Sequence, residues 1–210
     1  MSHKEAVIDF NLYLITDRTK TKGRDILGVV GSALSGGVRC IQLREKDLSG
    51  RELFELATKL RFLTNRFGAR LIINDRIDIA QIVGACGVHL PSNGITPRDA
   101  RKLLGKDALI GVSTHSTTEA KIAEKEGADF VTTGPVFDTP SKAIYGAPIG
   151  LETLSKITSE ITIPVLALGG VKKNNVEATQ DAGAFGIALI SGIISATEVE
   201  QETKEFLKLL

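Results

Sequence analysis

The chain has 210 residues, with 26 lysines and arginines against 25 aspartates and glutamates, a formal net charge of +1 and 42% hydrophobic residues. That length is enough to bury a full core in one domain spanning 1–210, and the composition excludes the fibrous, collagenous and disordered classes. The near-balanced charge provides no global field for nucleic acid or an anionic membrane, so any anion must be held by local groups.

The first thirty residues hold no long apolar run ending in a small-residue cleavage site, and no later segment stays apolar long enough to span a bilayer. The expectation is a soluble, cytoplasmic protein. Cys40 and Cys86 are far apart in sequence and lack the paired spacing of a zinc site or a disulfide framework, which predicts buried, inert thiols.

Apolar runs bounded by Gly, Pro, Asn or Asp predict strands at 12–16, 38–43, 70–74, 87–90, 109–112, 129–133, 163–168 and 185–190. Helical periodicity falls between them, as in Arg51 to Phe67 with Leu53, Leu56, Leu60 and Leu63, and in Thr117 to Glu126 with Ala120 and Ala123. The near-continuous apolarity of the strand runs predicts parallel strands covered on both faces by helices. Eight such units make an α/β fold, a single-domain (β/α)8 TIM barrel, with a doubly wound open sheet as the rival. Polar residues recurring after nearly every strand favour the closed ring. Glycines at Gly36-Gly37, Gly84, Gly127 and Gly183 read as helix stops on the opposite face.

The C-terminal strand ends form the mouth of such a barrel. Taken in chain order they supply Gln42, Arg44 and Lys46, then Asn74 and Asp75, then Ser113 and His115. Strand six opens into Gly134-Pro135-Val136-Phe137-Asp138-Thr139-Pro140-Ser141-Lys142, a loop rich in phosphate ligands. Arg44, Lys46 and Lys142 together would suit a diphosphate, unless the first two merely pair with Glu45 and Asp47 at a solvated rim. Gly169-Gly170, Ile190 and Ser191-Gly192 follow strands seven and eight, where barrels bind a phosphate monoester; tight turns alone are the bland alternative. Asp75 has two readings, a ligand for Mg²⁺ or a cap for a helix beginning at Arg76. His115 is either an acid–base group or part of the turn in which Ser116 caps the next helix. His89 belongs to a strand. No Walker loop, zinc cluster or nucleophile elbow is present, so the residues describe electrostatic handling of a leaving group.

These segments together resemble the thiamine phosphate synthase family and its paralogues, the thiazole tautomerases. The carriers are Tyr13-Leu14-Ile15-Thr16-Asp17, QLREKD from Gln42, INDR from Ile73, GVHL from Gly87, GVSTHS from Gly111, GPVFDTPSK from Gly134 and LGGV from Leu168. The resemblance implies that a pyrimidine diphosphate is held by Gln42, Arg44, Lys46, Asn74, Ser113 and Lys142, with Mg²⁺ at Asp75. It implies that a thiazole phosphate meets Thr139, Ser141, Gly170, Ile190 and Ser191. The implied reaction is ionisation of the pyrimidine C–O bond, loss of diphosphate and addition of the thiazole nitrogen.

One departure matters. Synthases of the family usually carry after GVHL an aspartate that is a second magnesium ligand, and Gly94 stands in its place, within Pro91-Ser92-Asn93-Gly94. That segment looks like the tautomerase branch, in which a histidine matching His115 is implicated. The retained diphosphate set favours the synthase; a non-catalytic binder of thiazole or thiamine phosphate is the third reading. The outward faces of eight helices offer surfaces for a homo-oligomer, and the 139–148 loop reads as a lid that excludes water.

Overall fold

A computed structural model describes residues 8–139 and 147–210. The strands are β1 (Leu12–Ile15), β2 (Cys40–Leu43), β3 (Arg70–Asn74), β4 (Gly87–Leu90), β5 (Leu109–Thr114), β6 (Phe130–Thr133), β7 (Val165–Leu168) and β8 (Gly186–Leu189). They pair in parallel, each with the next, and β8 closes on β1 with Tyr13 opposite Ala188. The expected closed barrel is the observed one. Helices α1 (Ile26–Ser35), α2 (Gly50–Arg66), α3 (Ile77–Ile82), α4 (Pro97–Leu104), α5 (Thr117–Lys125), α6 (Gly150–Glu160) and α7 (Val176–Asp181) each follow the strand of the same number. After β8 come a short helix, α8 (Ser191–Ile194), and α9 (Val199–Leu207), which returns against α1.

Local chemistry sets the helix ends. Ser49 accepts from the Glu52 N–H while the Glu52 carboxylate accepts from the Ser49 N–H, a capping box at the start of α2. Thr96 caps α4, which has proline at its first position. Gly37, Gly84, Gly127 and Gly183 have positive φ after their helices, as expected of helix stops.

The strand boundaries differ from expectation by two residues at the start of β2, the end of β5 and the start of β7, and by one at ends of β1, β6 and β8; those of β5 and β7 have identifiable reasons. β5 runs on through Ser113 and Thr114, which pair with Thr132 and Thr133 of β6; their polarity hides the strand end from a hydropathy reading. β7 begins after Pro164, which has no N–H to contribute to the ladder.

Two apolar layers follow from the period-two alternation of the strands. Leu14, Ile41, Leu71, Ile73, Val88, Ile110, Val131 and Ile187 face the helices. Tyr13, Ile15, Cys40, Ile72, Leu109, Phe130, Leu166 and Ala188 fill the barrel, with Ile8 and Phe10 packed against them. Gly111 is needed inside: a Cβ there would lie 2.4 Å from Phe130 Cζ and 2.6 Å from His89 Nδ1. Cys40 is buried, and burial pushes its thiol well above the ordinary range. Cys86 is only half-buried, with Arg61 Nη1 3.5 Å from its sulfur, so the expectation of two buried thiols holds for one. No helix among the described residues is long and apolar enough to cross a membrane.

Candidate active site

Extending the inward parity of each strand to its C-terminal end builds the mouth. On β2, Cys40 and Gln42 are inward and Arg44 continues the series; on β3 Asn74 follows Ile72; on β5 Ser113 follows Gly111. The register ties them together: Gln42 pairs with Ile15 and Ile72, Asn74 with His89, and Ser113 with Thr132.

Beneath the mouth lies a buried polar chain. Gln42 Nε2 donates to the Tyr13 hydroxyl at 3.0 Å, and that hydroxyl is 3.4 Å from His89 Nδ1. His89 Nε2 lies 3.0 Å from Ser113 Oγ and 3.2 Å from Thr132 Oγ1. Burial, and then the positive charge of Arg44, lower the His89 pKa to about 3, so the ring is neutral at ordinary pH. Burial likewise keeps the Tyr13 phenol protonated. Since Tyr13 accepts from Gln42, its proton points to Nδ1, and His89 then carries its own proton on Nε2, toward the two hydroxyls. Tyr13, His89 and Thr132 are members of this polar chain that the strand-end reading missed. Period-two parity would have placed all three inside, but apolar neighbours make them read as core.

The β1 and β2 loops are zipped together. Thr16 N–H donates to the Gln42 carbonyl at 2.9 Å and Arg44 N–H to Thr16 Oγ1 at 3.0 Å. Glu45, buried, accepts from the Arg18 backbone N–H with both oxygens at 3.1 Å. The Arg18 guanidinium forks onto Asp47 at 2.5 and 2.7 Å. The rim pairing expected as the bland alternative is therefore not what forms: Arg18 takes both carboxylates, and neither Arg44 nor Lys46 makes an ion pair among the described residues.

Asp75 sits in the left-handed region, φ 63°, a conformation uncommon for a residue with a side chain. Helix α3 has Arg76 at its N-cap position and no side-chain capping bond, so the capping role considered for Asp75 is absent. Arg76 instead pairs with Asp78. The exposed Asp75 carboxylate suits the donor chemistry of Mg²⁺, which takes one or two carboxylates and leaves its other positions to phosphate and water. Gly94 lies in a turn whose N–H donates to the Pro91 carbonyl at 3.1 Å. No group of three or more His, Cys, Asp or Glu among the described residues could hold a metal without a substrate.

On the far side, His115 Nδ1 is 2.5 Å from the Gly134 carbonyl and its backbone N–H donates to Glu119, while Ser116 caps α5 as expected. Gly170, φ 67°, lies under the 134–139 loop: a Cβ would come within 2.7 Å of Asp138 O and Phe137 Cβ. Close packing thus requires this glycine whatever its N–H binds. Ile190 and Ser191 begin α8, a short extra helix at the position where barrels hold phosphate. A depression of about 520 Å³ also touches Ser191, but Glu198, Glu202 and Glu205 line it, which disfavours an anion there. Thr139 ends the described part of the loop; Ser141, Lys142 and most of the predicted lid lie outside the described residues.

A family model described as thiamine monophosphate synthase matches residues 12–193. A thiamine-phosphate synthase from Caldanaerobacter subterraneus subsp. tengcongensis is 45% identical over 96% of this chain and 94% of its own length. One from Syntrophomonas wolfei is 43% identical over 94% of both chains. Among solved structures, a thiamine phosphate pyrophosphorylase from Pyrococcus furiosus superposes with a TM-score of 0.86 at 38% identity, covering 95% of each chain.

Proposed function

This chain belongs to the thiamine monophosphate synthase family, and we propose that it joins hydroxymethylpyrimidine diphosphate to a thiazole phosphate, giving thiamine phosphate and inorganic diphosphate. The observation that carries the reading is the pair of cations at the end of β2, Arg44 and Lys46, left without a carboxylate partner because Arg18 holds Glu45 and Asp47. Two such cations, with the hydroxyl of Ser113 and the amide of Asn74, suit the leaving group of this reaction.

In the proposed step the bond from the pyrimidine methylene carbon to the diphosphate oxygen breaks, and its electron pair leaves with the oxygen. The lone pair of the thiazole nitrogen then forms the C–N bond, so no proton has to be removed. Arg44 and Lys46, joined by Lys142, stabilise the negative charge that grows on the departing diphosphate. Ser113 donates to one of its oxygens. Gln42, fixed by Tyr13 and buried below the mouth, is suited to the edge of the pyrimidine more than to phosphate. Thr139, Ser141, Gly170, Ile190 and Ser191 are assigned to the thiazole phosphate.

Mg²⁺ dependence is general in the family, and Asp75 is the residue of this chain that would hold the ion. Bound there, Mg²⁺ would supply further neutralisation of diphosphate charge. The substrates are phosphorylated and retained inside cells, so the proposed setting is the cytoplasm.

Gly94 favours a second reading, the tautomerase, since a carboxylate for the metal is missing there. Under that reading His115, with Nε2 unengaged among the described residues, would move the ring proton. An assay for thiamine phosphate from the two substrates, with Mg²⁺ varied, separates the readings. Metal-dependent product establishes the synthase; no product at any Mg²⁺ concentration, with aromatisation of a carboxylated thiazole phosphate, establishes the tautomerase.

A further inference from the structure

Arg44-Glu45-Lys46-Asp47 alternates cations and anions on a segment that leaves β2 at the mouth of the barrel. Such a segment can neutralise itself. Once extended backbone gives way to the turn at Lys46 and Asp47, nothing in the segment alone prevents a carboxylate from reaching the ammonium or guanidinium beside it. A diphosphate would then have to displace an internal counterion before binding.

Three features of the β1 loop prevent this. Thr16 fixes the backbone of Arg44. The Arg18 backbone N–H holds Glu45, whose side chain is 2% exposed. The Arg18 guanidinium holds Asp47 through two parallel bonds, and Asp17 caps the 3₁₀ turn Arg18–Lys20 that presents it. The Arg18–Asp47 pair is exposed, so it contributes little to folding and its significance lies in where it keeps the charges.

We propose that Arg18 is a positioning residue for the anion site: it sequesters Asp47, and with it Glu45, so that Arg44 and Lys46 remain available to the diphosphate. Arg18 itself is committed to carboxylates, so its role is to place charge and not to bind substrate. This inference rests on the synthase reading. It predicts that the loss caused by removing Arg18 comes from the carboxylate released, and is repaired by removing that carboxylate.

The test is calorimetric binding of inorganic diphosphate with Mg²⁺ to the full chain, its Arg18→Gln variant and the double variant Arg18→Gln/Asp47→Asn, with thiamine phosphate formation measured alongside. In the single variant Glu45 keeps its backbone donor while Asp47 loses its guanidinium. Diphosphate affinity is expected to fall about tenfold in the single variant and to return to within about threefold of the unmodified chain in the double variant. The kcat/KM for the pyrimidine diphosphate should follow the same pattern, with KM for the thiazole phosphate nearly unchanged. Unchanged affinity in Arg18→Gln overturns the proposal. So does a loss that the double variant fails to repair, which would mean that Arg18 only braces the loop. An unmodified chain that forms product while either result is seen leaves the synthase reading intact; a chain that neither binds diphosphate nor forms product removes both.

Discussion

His89 Nε2 stands 3.0 Å from Ser113 Oγ, joining the buried centre of the barrel to a hydroxyl at its mouth. Because the imidazole is neutral and its other nitrogen faces the Tyr13 hydroxyl, the proton between His89 and Ser113 belongs to the histidine. Ser113 therefore accepts from below and is free to donate upward, the polarity required of a residue that binds a phosphate oxygen. Replacing Ser113 with alanine should lower kcat/KM by about 10- to 100-fold through the loss of one hydrogen bond to a charged group. Steady-state kinetics check this; a change below twofold would remove Ser113 from the site.

The same histidine predicts a pH dependence of stability. Its folded pKa of about 3 lies below the unfolded value near 6.5, so between these limits the unfolded chain binds a proton that the native chain does not. Stability should thus fall as pH drops through 6.5 toward 3, by roughly 2 kcal/mol between pH 7 and pH 5 from this residue alone. Urea unfolding of the parent chain and of His89→Gln at both pH values measures it. Equal pH slopes in the two proteins would show that the burial penalty is absent.

Arg44 should be more sensitive than a rim cation. Arg44→Ala is expected to raise KM for the pyrimidine diphosphate and to lower kcat, costing about 10- to 100-fold in kcat/KM, the worth of a charge-assisted bond, with Arg44→Lys intermediate because a point charge replaces a fork. Kinetics with either substrate varied would show whether the effect is confined to the diphosphate. A comparable rise for the thiazole phosphate would place Arg44 elsewhere.

Gly170 is fixed by space and by backbone conformation together, its Cβ position lying 2.7 Å from both Asp138 O and Phe137 Cβ at φ 67°. Gly170→Ala should cost about 1–3 kcal/mol of stability and displace the 134–139 loop. Denaturation midpoint and kcat/KM should both fall; retention of both would mean the loop yields freely.

A carboxylate placed at Gly94 should not by itself tighten metal binding. A Cβ at Gly94 would stand 2.9 Å from Pro91 Cγ, so Gly94→Asp collides with the turn. Half-saturating Mg²⁺ is expected to change little in Gly94→Asp and to fall about fivefold or more in Pro91→Gly/Gly94→Asp, with Asp75→Asn raising it. Activity titrated with Mg²⁺ in each variant decides, and a gain in the single variant would show that the turn is pliable.

The sequence by itself determined the barrel and most of its mouth. Strand parity and strand ends are local properties, so the apolar runs and the punctuating glycines were enough to locate Gln42, Asn74, Ser113 and Gly170 at the C-terminal face. Ser116 as the start of α5 is local in the same way. Only the tertiary structure decided how the charges and hydroxyls are shared. Arg18 meets Asp47 across 29 positions, and Tyr13 meets His89 across 76, because the barrel closes β1 beside β2 and turns both inward residues to one axis. The choice of partner for Glu45 and Asp47, the left-handed backbone of Asp75 and the protonation of His89 all depend on distances between strands remote in sequence. Coulomb and hydrogen-bond energies are set by those distances and by burial, and no spacing along the chain encodes them.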